Sequence, residues 1–368
     1  MHPPGLQRSG FGPSQRCSTK LMHNAPGHYA RAAKDCSDLS MPQDKLSYPP
    51  ALAGLVAILA VTLLASAAWA AALKQAVLIP QWEPQAQFAG YYVALAKGFY
   101  TAAGVDMRIL RGGPQSPPSK LLREGRAQFG TFFLTSAIRQ RAAGLPLVNL
   151  AQLVPTSSQL LIARKSSGIT KPADLAGKRV SLWGPEFRLL PEAFFHRHGI
   201  TVTELPQGYT VDLFLRGGVD ACSAMGYNEY HTLLNAGLDP GELTVFNLAE
   251  GGLDLPEDGL YCLEATWQQD PDLCRAVVRA SLAGWRYAFE HPDEALDIVM
   301  SHVSAANLPT NRMHQKWMFD HIRQVMTAPG AAPGPLGEDR YAAAVAVMRA
   351  AGLIETAPSY EAFHADCR

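Results

Sequence analysis

The sequence predicts an α/β fold of two lobes, each a mostly parallel sheet flanked by helices, with the second lobe inserted into the first. Three observations predict it. Short apolar runs of strand length alternate with stretches of helical spacing from residue 75 to 163, and the same alternation resumes from residue 166. Strand, helix, strand order calls for parallel pairing through a right-handed crossover. Two further strand-like segments, 158–165 and 260–264, fall where the chain would pass between the lobes and return. With 368 residues, 48% of them hydrophobic, the chain is long enough for two cores and too apolar for disorder. Its 32 basic and 32 acidic residues cancel, which argues against a nucleic-acid partner, since phosphate binding calls for a net basic surface.

Residues 1–40 are rich in Pro, Gly, Ser and His and show no periodicity, so they are read as an extension outside the fold, with Met41 the better start. Residues 41–70 read as a secretory signal: Lys45 precedes an uncharged stretch, 51–65 holds only Ala, Leu, Val, Ile, Gly and Thr, and Ala68-Trp69-Ala70 supplies small residues for cleavage. The competing reading is an uncleaved anchor, because about 20 apolar residues also span a bilayer. Cleavage after Ala70 removes 6 basic and 3 acidic residues and leaves 26 against 29, a slightly acidic chain.

The first part of lobe 1 is expected over 71–164. Residues 75–80 read as a buried strand, 88–97 as a helix closed by Gly98, and 105–110 as the next strand. After Gly112-Gly113-Pro114 come a helix ending near Gly125, a strand over 127–133, a helix opening at Thr135-Ser136, and strands over 147–153 and 158–163. Lobe 2 is expected over 165–262. It holds a short helix at Pro172, a strand over 178–183, a helix over 190–198 stopped by Gly199, and a strand over 218–225 that runs into Tyr227-Asn228-Glu229. Residues 211–215 fit a helix or a strand equally, while 245–248 and 260–263 read as strands. Residues 263–368 are expected to return to lobe 1 as helices, interrupted by the Pro- and Gly-rich stretch 328–337. No repeat of 20 to 50 residues is visible.

Outside the extension the cysteines are Cys222, Cys262, Cys274 and Cys367, without CxxC spacing or paired histidines, so no metal site is expected. An exported chain can hold a disulfide, and buried free thiols are an equal reading.

The stretches Trp82-Glu83-Pro84, Ala89-Gly90-Tyr91-Tyr92, Lys97-Gly98-Phe99-Tyr100, Gly112-Gly113-Pro114, Phe132-Phe133-Leu134-Thr135-Ser136, Asp174-Leu175-Ala176-Gly177-Lys178 and Tyr227-Asn228-Glu229 together resemble one family. It is the NMT1/THI5-like family of periplasmic substrate-binding proteins that capture thiamine-pyrimidine precursors for ABC importers, and the likeness runs from about Leu73 to His364. The resemblance implies a type II periplasmic binding protein with a ligand cleft between lobes joined by two crossings. The Lys-Gly-Phe-Tyr and Asp-Leu-x-Gly-Lys patterns are shared with sulfonate, nitrate and riboflavin-precursor receptors. Trp-x-Pro and the later Asn-Glu are narrower. The family also includes a fungal pyrimidine synthase that consumes a histidine soon after Trp-x-Pro and carries a cysteine-rich run. Here the matching position is Phe88, and only Cys262 lies near the return crossing, so that chemistry is not expected.

The matched positions also have a physical reading, because ligands of open α/β sheets sit beyond the carboxyl ends of strands. Trp82 and Trp183 follow strands and suit stacking on a flat heterocycle. Phe88 would line an apolar part of the pocket, one of Tyr91 and Tyr92 would reach it, and Gly113 would let backbone approach the ligand. Thr135 and Ser136 serve either as helix caps or as binders of an anion or carbonyl. Glu186 lies on the loop after Trp183, and Tyr227, Asn228 and Glu229 would meet an aminopyrimidine edge with a donor and acceptors. His196, His198 and His231 read as surface residues, and Arg188 is the one candidate for pairing a sulfonate. The expectation is a monomeric, non-enzymatic periplasmic receptor without cofactor, delivering a small aromatic solute to an inner-membrane permease. The alternatives are a receptor for another solute, a pyrimidine-synthesis enzyme and a sensor ectodomain.

Overall fold

A computed structural model describes residues 73–328 and 333–367, so the extension and the signal segment lie outside the described residues. These described residues form ten strands in two five-stranded sheets. The first holds β1 (Lys74–Ile79), β2 (Val105–Ile109), β3 (Phe129–Phe133), β4 (Leu147–Gln152) and β10 (Asp258–Leu263), in the order β2-β1-β3-β10-β4. The second holds β5 (Gln159–Arg164), β6 (Arg179–Leu182), β7 (Thr203–Pro206), β8 (Ala221–Met225) and β9 (Leu243–Asn247), in the order β7-β6-β8-β5-β9.

The two orders are the same pattern. In each sheet the second strand, β1 or β6, pairs in parallel with both its neighbours, and the fourth strand runs against the other four: β10 in the first, β5 in the second. Each reversed strand is the first one laid down after the chain changes lobes. The lobes therefore repeat a topology although no sequence repeat is visible, because strand order is set by connection geometry rather than by particular side chains.

The crossings differ from the expected ones. Residues 158–165 and 260–264 fall within β5 and β10, which are ladder strands, and the chain passes between sheets at 153–158 and 248–257 instead. The second sheet thus spans 159–247 rather than 165–262. An apolar run of strand length cannot by itself say whether it joins a sheet or bridges two. β7 carries no apolar period, is mostly exposed and ends in a proline, which suits a short edge strand and explains why the sequence did not announce it. Residues 212–215 form a helical turn, Asp212–Leu215.

Most other elements fall where expected. Gly199 stops Leu189–His198 in the left-handed conformation, with φ of 62°. The expected helical stretch after residue 271 is two helices, Pro271–Glu290 and Pro292–Ala305, because Pro292 cannot continue the first. Lobe 1 is held by the helix Ala89–Ala96 lying on Pro271–Glu290. Their contact needs two glycines: a Cβ on Gly284 would sit 2.1 Å from the Gly90 carbonyl oxygen, and one on Gly90 would sit 2.2 Å from the Trp285 ring. Among the described residues no helix is long and apolar enough to cross a membrane. Cys222, Cys262, Cys274 and Cys367 are buried free thiols.

Candidate functional site

The carboxyl ends of β1 and β3 in lobe 1 face those of β6 and β8 in lobe 2, with the crossings behind them. The side chains that follow these ends converge. Trp82 and Gln87 come from the turn after β1, Phe133 from the end of β3, Trp183 and Phe187 from the loop after β6, and Met225, Tyr227, Asn228 and Glu229 from β8 and the turn after it. Together they line a cavity with about 320 Å³ of unfilled space.

One half of this cavity is aromatic. The Trp82 ring meets Phe187 edge-on at 5.2 Å and Tyr209 at 5.6 Å, so the first lobe touches the second through rings. Phe187 also packs edge-on against Phe133 at 5.3 Å and lies 6.4 Å from Trp183. Such ring pairs favour edge and offset geometry, and their open faces suit a flat guest.

The other half is polar and comes from both lobes. On lobe 2 Glu229 opens the helix Glu229–Asn235 and is only 6% exposed. Its Oε2 accepts from the Met225 backbone N–H at 2.9 Å, and its Oε1 accepts from the Asn228 side-chain amide at 2.9 Å. Burial, opposed by the backbone N–H groups, pushes its carboxyl up to about 7. On lobe 1 Gln87 donates to Asp258 Oδ2 at 2.7 Å and accepts from Gln85 at 2.6 Å. Gln81 donates to the other Asp258 oxygen. Burial pushes the Asp258 carboxyl up to about 7 as well. Beside it, Glu257 ties the two crossings: its Oε1 accepts from the Ser158 backbone N–H at 2.5 Å and from the Ser157 hydroxyl at 3.2 Å.

Two further compartments adjoin the cavity, and Trp82 walls all three. One is rich in amides and hydroxyls, with Gln85, Asn228, Asn235, Thr310 and Asn311 among its residues. The other runs past Gly113, Pro114, Glu186 and Gly208. Among the described residues no lysine or arginine lines any of the three. Arg188 is turned away into ion pairs with Glu192 and Glu204, which corrects its reading as a sulfonate ligand. Arg111 pairs with Glu83 at 2.6 Å.

Of the residues singled out from the sequence, Trp82, Trp183, Tyr227, Asn228 and Glu229 therefore meet in one cavity. Gly113 and Glu186 line the flanking compartment. Gly113 has φ of +123°, and a Cβ there would lie 2.8 Å from Glu83 Oε1, while Glu186 accepts from Ser119 across the lobes at 3.1 Å. Phe88 and Tyr91 are fully buried inside lobe 1, Tyr91 edge-on to Trp285 at 6.2 Å, so they are core residues rather than cavity walls. The reason is that the turn Ala86–Phe88 and residues 89–94 of the helix Ala89–Ala96 are all buried within lobe 1. Thr135 and Ser136 are buried one and two residues inside the helix Leu134–Ala142, whose capping position is Phe133, so neither acts as the cap. Gln87, Phe133 and Met225 were not anticipated, whereas Phe187 lies on the loop after Trp183 that was expected to face the cleft. Gln87 had a signal, since it lies within five residues of a tryptophan already assigned to the cleft. His231, read as a surface residue, is stacked on Trp317 and bonded to His314.

Residues 85–295 match the sequence profile of the family described as NMT1/THI5 like. Riboflavin-binding protein RibY of Chloroflexus aurantiacus is 29% identical over 64% of this chain and 68% of its own length. The formylaminopyrimidine-binding protein of Halalkalibacterium halodurans is 26% identical over 72% of this chain and 81% of its own. A 4-amino-5-hydroxymethyl-2-methylpyrimidine phosphate synthase of Legionella pneumophila is 25% identical over 61% and 73%. Among solved structures, the alkanesulfonate-binding protein SsuA of Xanthomonas axonopodis pv. citri superposes with a TM-score of 0.62 at 15% identity, covering 80% of this chain and 100% of that one. That likeness establishes the two-lobed periplasmic binding protein fold.

Proposed function

The chain belongs to the NMT1/THI5-like family, and from that premise we propose that it is the exported solute-binding component of an ABC importer, taking a flat heteroaromatic ligand that is neutral or cationic. The observation that carries this reading is the chemistry of the cavity walls. Five aromatic side chains surround a buried acid–amide pair, and among the described residues no lysine or arginine lines the cavity or its neighbours. A sulfonate, nitrate or phosphate group would lose its hydration there with no cation to meet it, a cost of several kcal/mol. The same argument disfavours a phosphorylated pyrimidine, and so the synthase reading. An amino group or ring N–H would instead find the free lone pairs of Glu229, and a ring nitrogen would find the Asn228 amide. Such a ligand bridges Gln87 on lobe 1 and Glu229 on lobe 2, so it favours the closed arrangement by its contacts with both lobes.

Within this class an aminopyrimidine such as formylaminopyrimidine is the first candidate, from the acid–amide edge. A flavin is the second, favoured by the amide-rich compartment that continues past Asn228 and gives a larger ligand room. The closed receptor would hand its ligand to a permease in the inner membrane.

A thermal-shift screen of residues 71–368 tests the proposal, with formylaminopyrimidine, hydroxymethylpyrimidine, thiamine, riboflavin, taurine, nitrate and pyridoxal phosphate as candidates. A ligand at about 100 times its Kd adds roughly 2.7 kcal/mol of stability. The expected result is a shift with a pyrimidine or a flavin that is lost in Trp82→Ala and in Glu229→Gln. A shift with taurine, nitrate or pyridoxal phosphate alone would overturn the ligand class.

A further inference from the structure

The two lobes also meet at a place that no ligand has to fill. The helix Arg312–Met326 packs in the core of lobe 1 through Met318, Phe319 and Ile322. Its other face reaches the start of the helix Glu229–Asn235 in lobe 2. His314 Nδ1 lies 2.9 Å from His231 Nδ1, with the rings stacked at 5.1 Å. His231 is stacked in turn on Trp317, at 4.4 Å and nearly parallel. The Trp317 indole N–H donates to the Gly226 carbonyl at 3.1 Å, and His321 stands 6.1 Å from the Tyr227 ring. His314 Nε2 lies 2.8 Å from Asn228 Oδ1.

The hydrogen-bond roles along this line follow from one another. Asn228 gives its amide N–H to Glu229, so its oxygen faces His314. His314 must then carry its proton on Nε2 to donate to that oxygen, which in the neutral ring leaves Nδ1 bare as an acceptor. His231 must supply the proton between the two Nδ1 atoms. The line ends in the ligand cavity, because Asn228 and Glu229 line it. Resting on the proposed receptor role, we infer that His231 and His314 form a positioning relay that aims the Asn228 amide at the ligand and fastens lobe 2 to lobe 1, and that protonation of the pair releases both.

Proton sensitivity is a consequence of the geometry, since two N–H groups cannot share the 2.9 Å gap. The groups facing the pair are Asn228, Asn235 and, through Asn228, Glu229 from lobe 2, with Trp317 from lobe 1, while His321 stands farther along the helix against Tyr227. Glu83, held by Arg111, stands across the adjoining compartment. Among them no carboxylate contacts an imidazole to stabilise its cation. Burial, reinforced by His231, pushes the His314 imidazole down to about 4, and burial lowers His231 and His321 too. The folded state therefore binds fewer protons than the unfolded chain from pH 6.5 downward, and the clasp weakens as pH falls through that window.

Two readouts test the relay. Imidazolium quenches a stacked indole, so the emission of Trp317, isolated by subtracting the Trp317→Phe variant, should fall on acidification with a midpoint below the ordinary imidazole value. In parallel, binding of formylaminopyrimidine and of riboflavin is titrated at neutral pH to wild type, His314→Phe and His314→Gln. Losing the donor to Asn228 should weaken binding by about tenfold in His314→Phe. His314→Gln keeps an amide N–H for Asn228 and should restore most of that loss, while His231→Gln, which removes the ring stacked on Trp317, should abolish the acid quench. Flat Trp317 emission in wild type, or His314→Gln binding as weakly as His314→Phe, would overturn the relay. If neither probe binds wild type but Trp317 titrates as described, the ligand assignment fails and the clasp stands.

Discussion

The two lobes share one strand order and differ in how they are filled. Lobe 1 is built on close approach: two helices touch through Gly90 and Gly284, and their neighbours Tyr91, Trp285 and Phe88 are sealed inside. Lobe 2 is thinner. Its edge strand β7 is mostly exposed and β9 is only partly covered, and glycines such as Gly208 have nothing within 4 Å of where a side chain would begin. The difference shows in what each lobe contributes to the cleft. Lobe 1 supplies the ring and amide groups of Trp82, Phe133 and Gln87 from a rigid base, whereas lobe 2 supplies the acid and amide of Glu229 and Asn228 from the start of a short helix. A shared topology therefore does not imply a shared role, because packing density is a property of side chains and not of strand order.

Substitutions sharpen the contrast, and the largest effect is expected in lobe 1. Gly284→Ala places a methyl group on the Gly90 carbonyl, and backbone cannot give way as a flexible side chain would. Overpacking of this kind should cost about 3 kcal/mol in denaturant unfolding. Gly208→Ala in lobe 2 should leave the midpoint within about 0.5 kcal/mol of wild type. Equal losses in the two variants would mean that the lobes are packed alike.

A pH-dependent effect is expected where the lobes join. Burial, together with the neighbouring Asp258, raises the Glu257 carboxyl well above the ordinary value of 4.5. Above pH 4.5 the folded state then holds a proton that the unfolded chain has lost, so its stability declines as pH rises through the folded value. One such group changes stability by up to about 1.4 kcal/mol per pH unit. Glu257→Gln removes that slope, so its advantage over wild type should grow with pH when unfolding midpoints are compared from about pH 5 to pH 8. A difference that stays constant across this range would show that Glu257 titrates as an ordinary surface acid.

The smallest effect is expected at the rim of lobe 1, where Lys74 pairs with Asp270 at 2.7 Å in the open. Lys74→Ala should cost well under about 1 kcal/mol, and less still at high salt, because water screens the pair. A loss on the scale of Gly284→Ala would contradict the view that lobe 1 is held by its interior.

The alternation of strand and helix, the two lobes, and five of the residues that line the cavity were legible in the sequence, because apolar periodicity and strand-end position are local properties of the chain. Trp82, Trp183, Tyr227, Asn228 and Glu229 all come within four residues of a strand end. Other features depended on contacts between distant segments. Phe88 and Tyr91 carry the same local pattern as a cavity wall, and only tertiary packing makes them core: Pro271–Glu290 is seated against the helix of Tyr91, and Arg312–Met326 against the turn Ala86–Phe88. Tertiary packing likewise brings His314 to Asn228 across 86 positions of sequence and Gln87 to Asp258 across 171. The apolar segments at β5 and β10 could equally have been bridges, and only their hydrogen-bond ladders made them strands. The sequence by itself determined the kinds of element and which residues stand at strand ends, whereas the tertiary structure decided which of them face one another, since burial and pairing depend on atoms that the chain brings together only on folding.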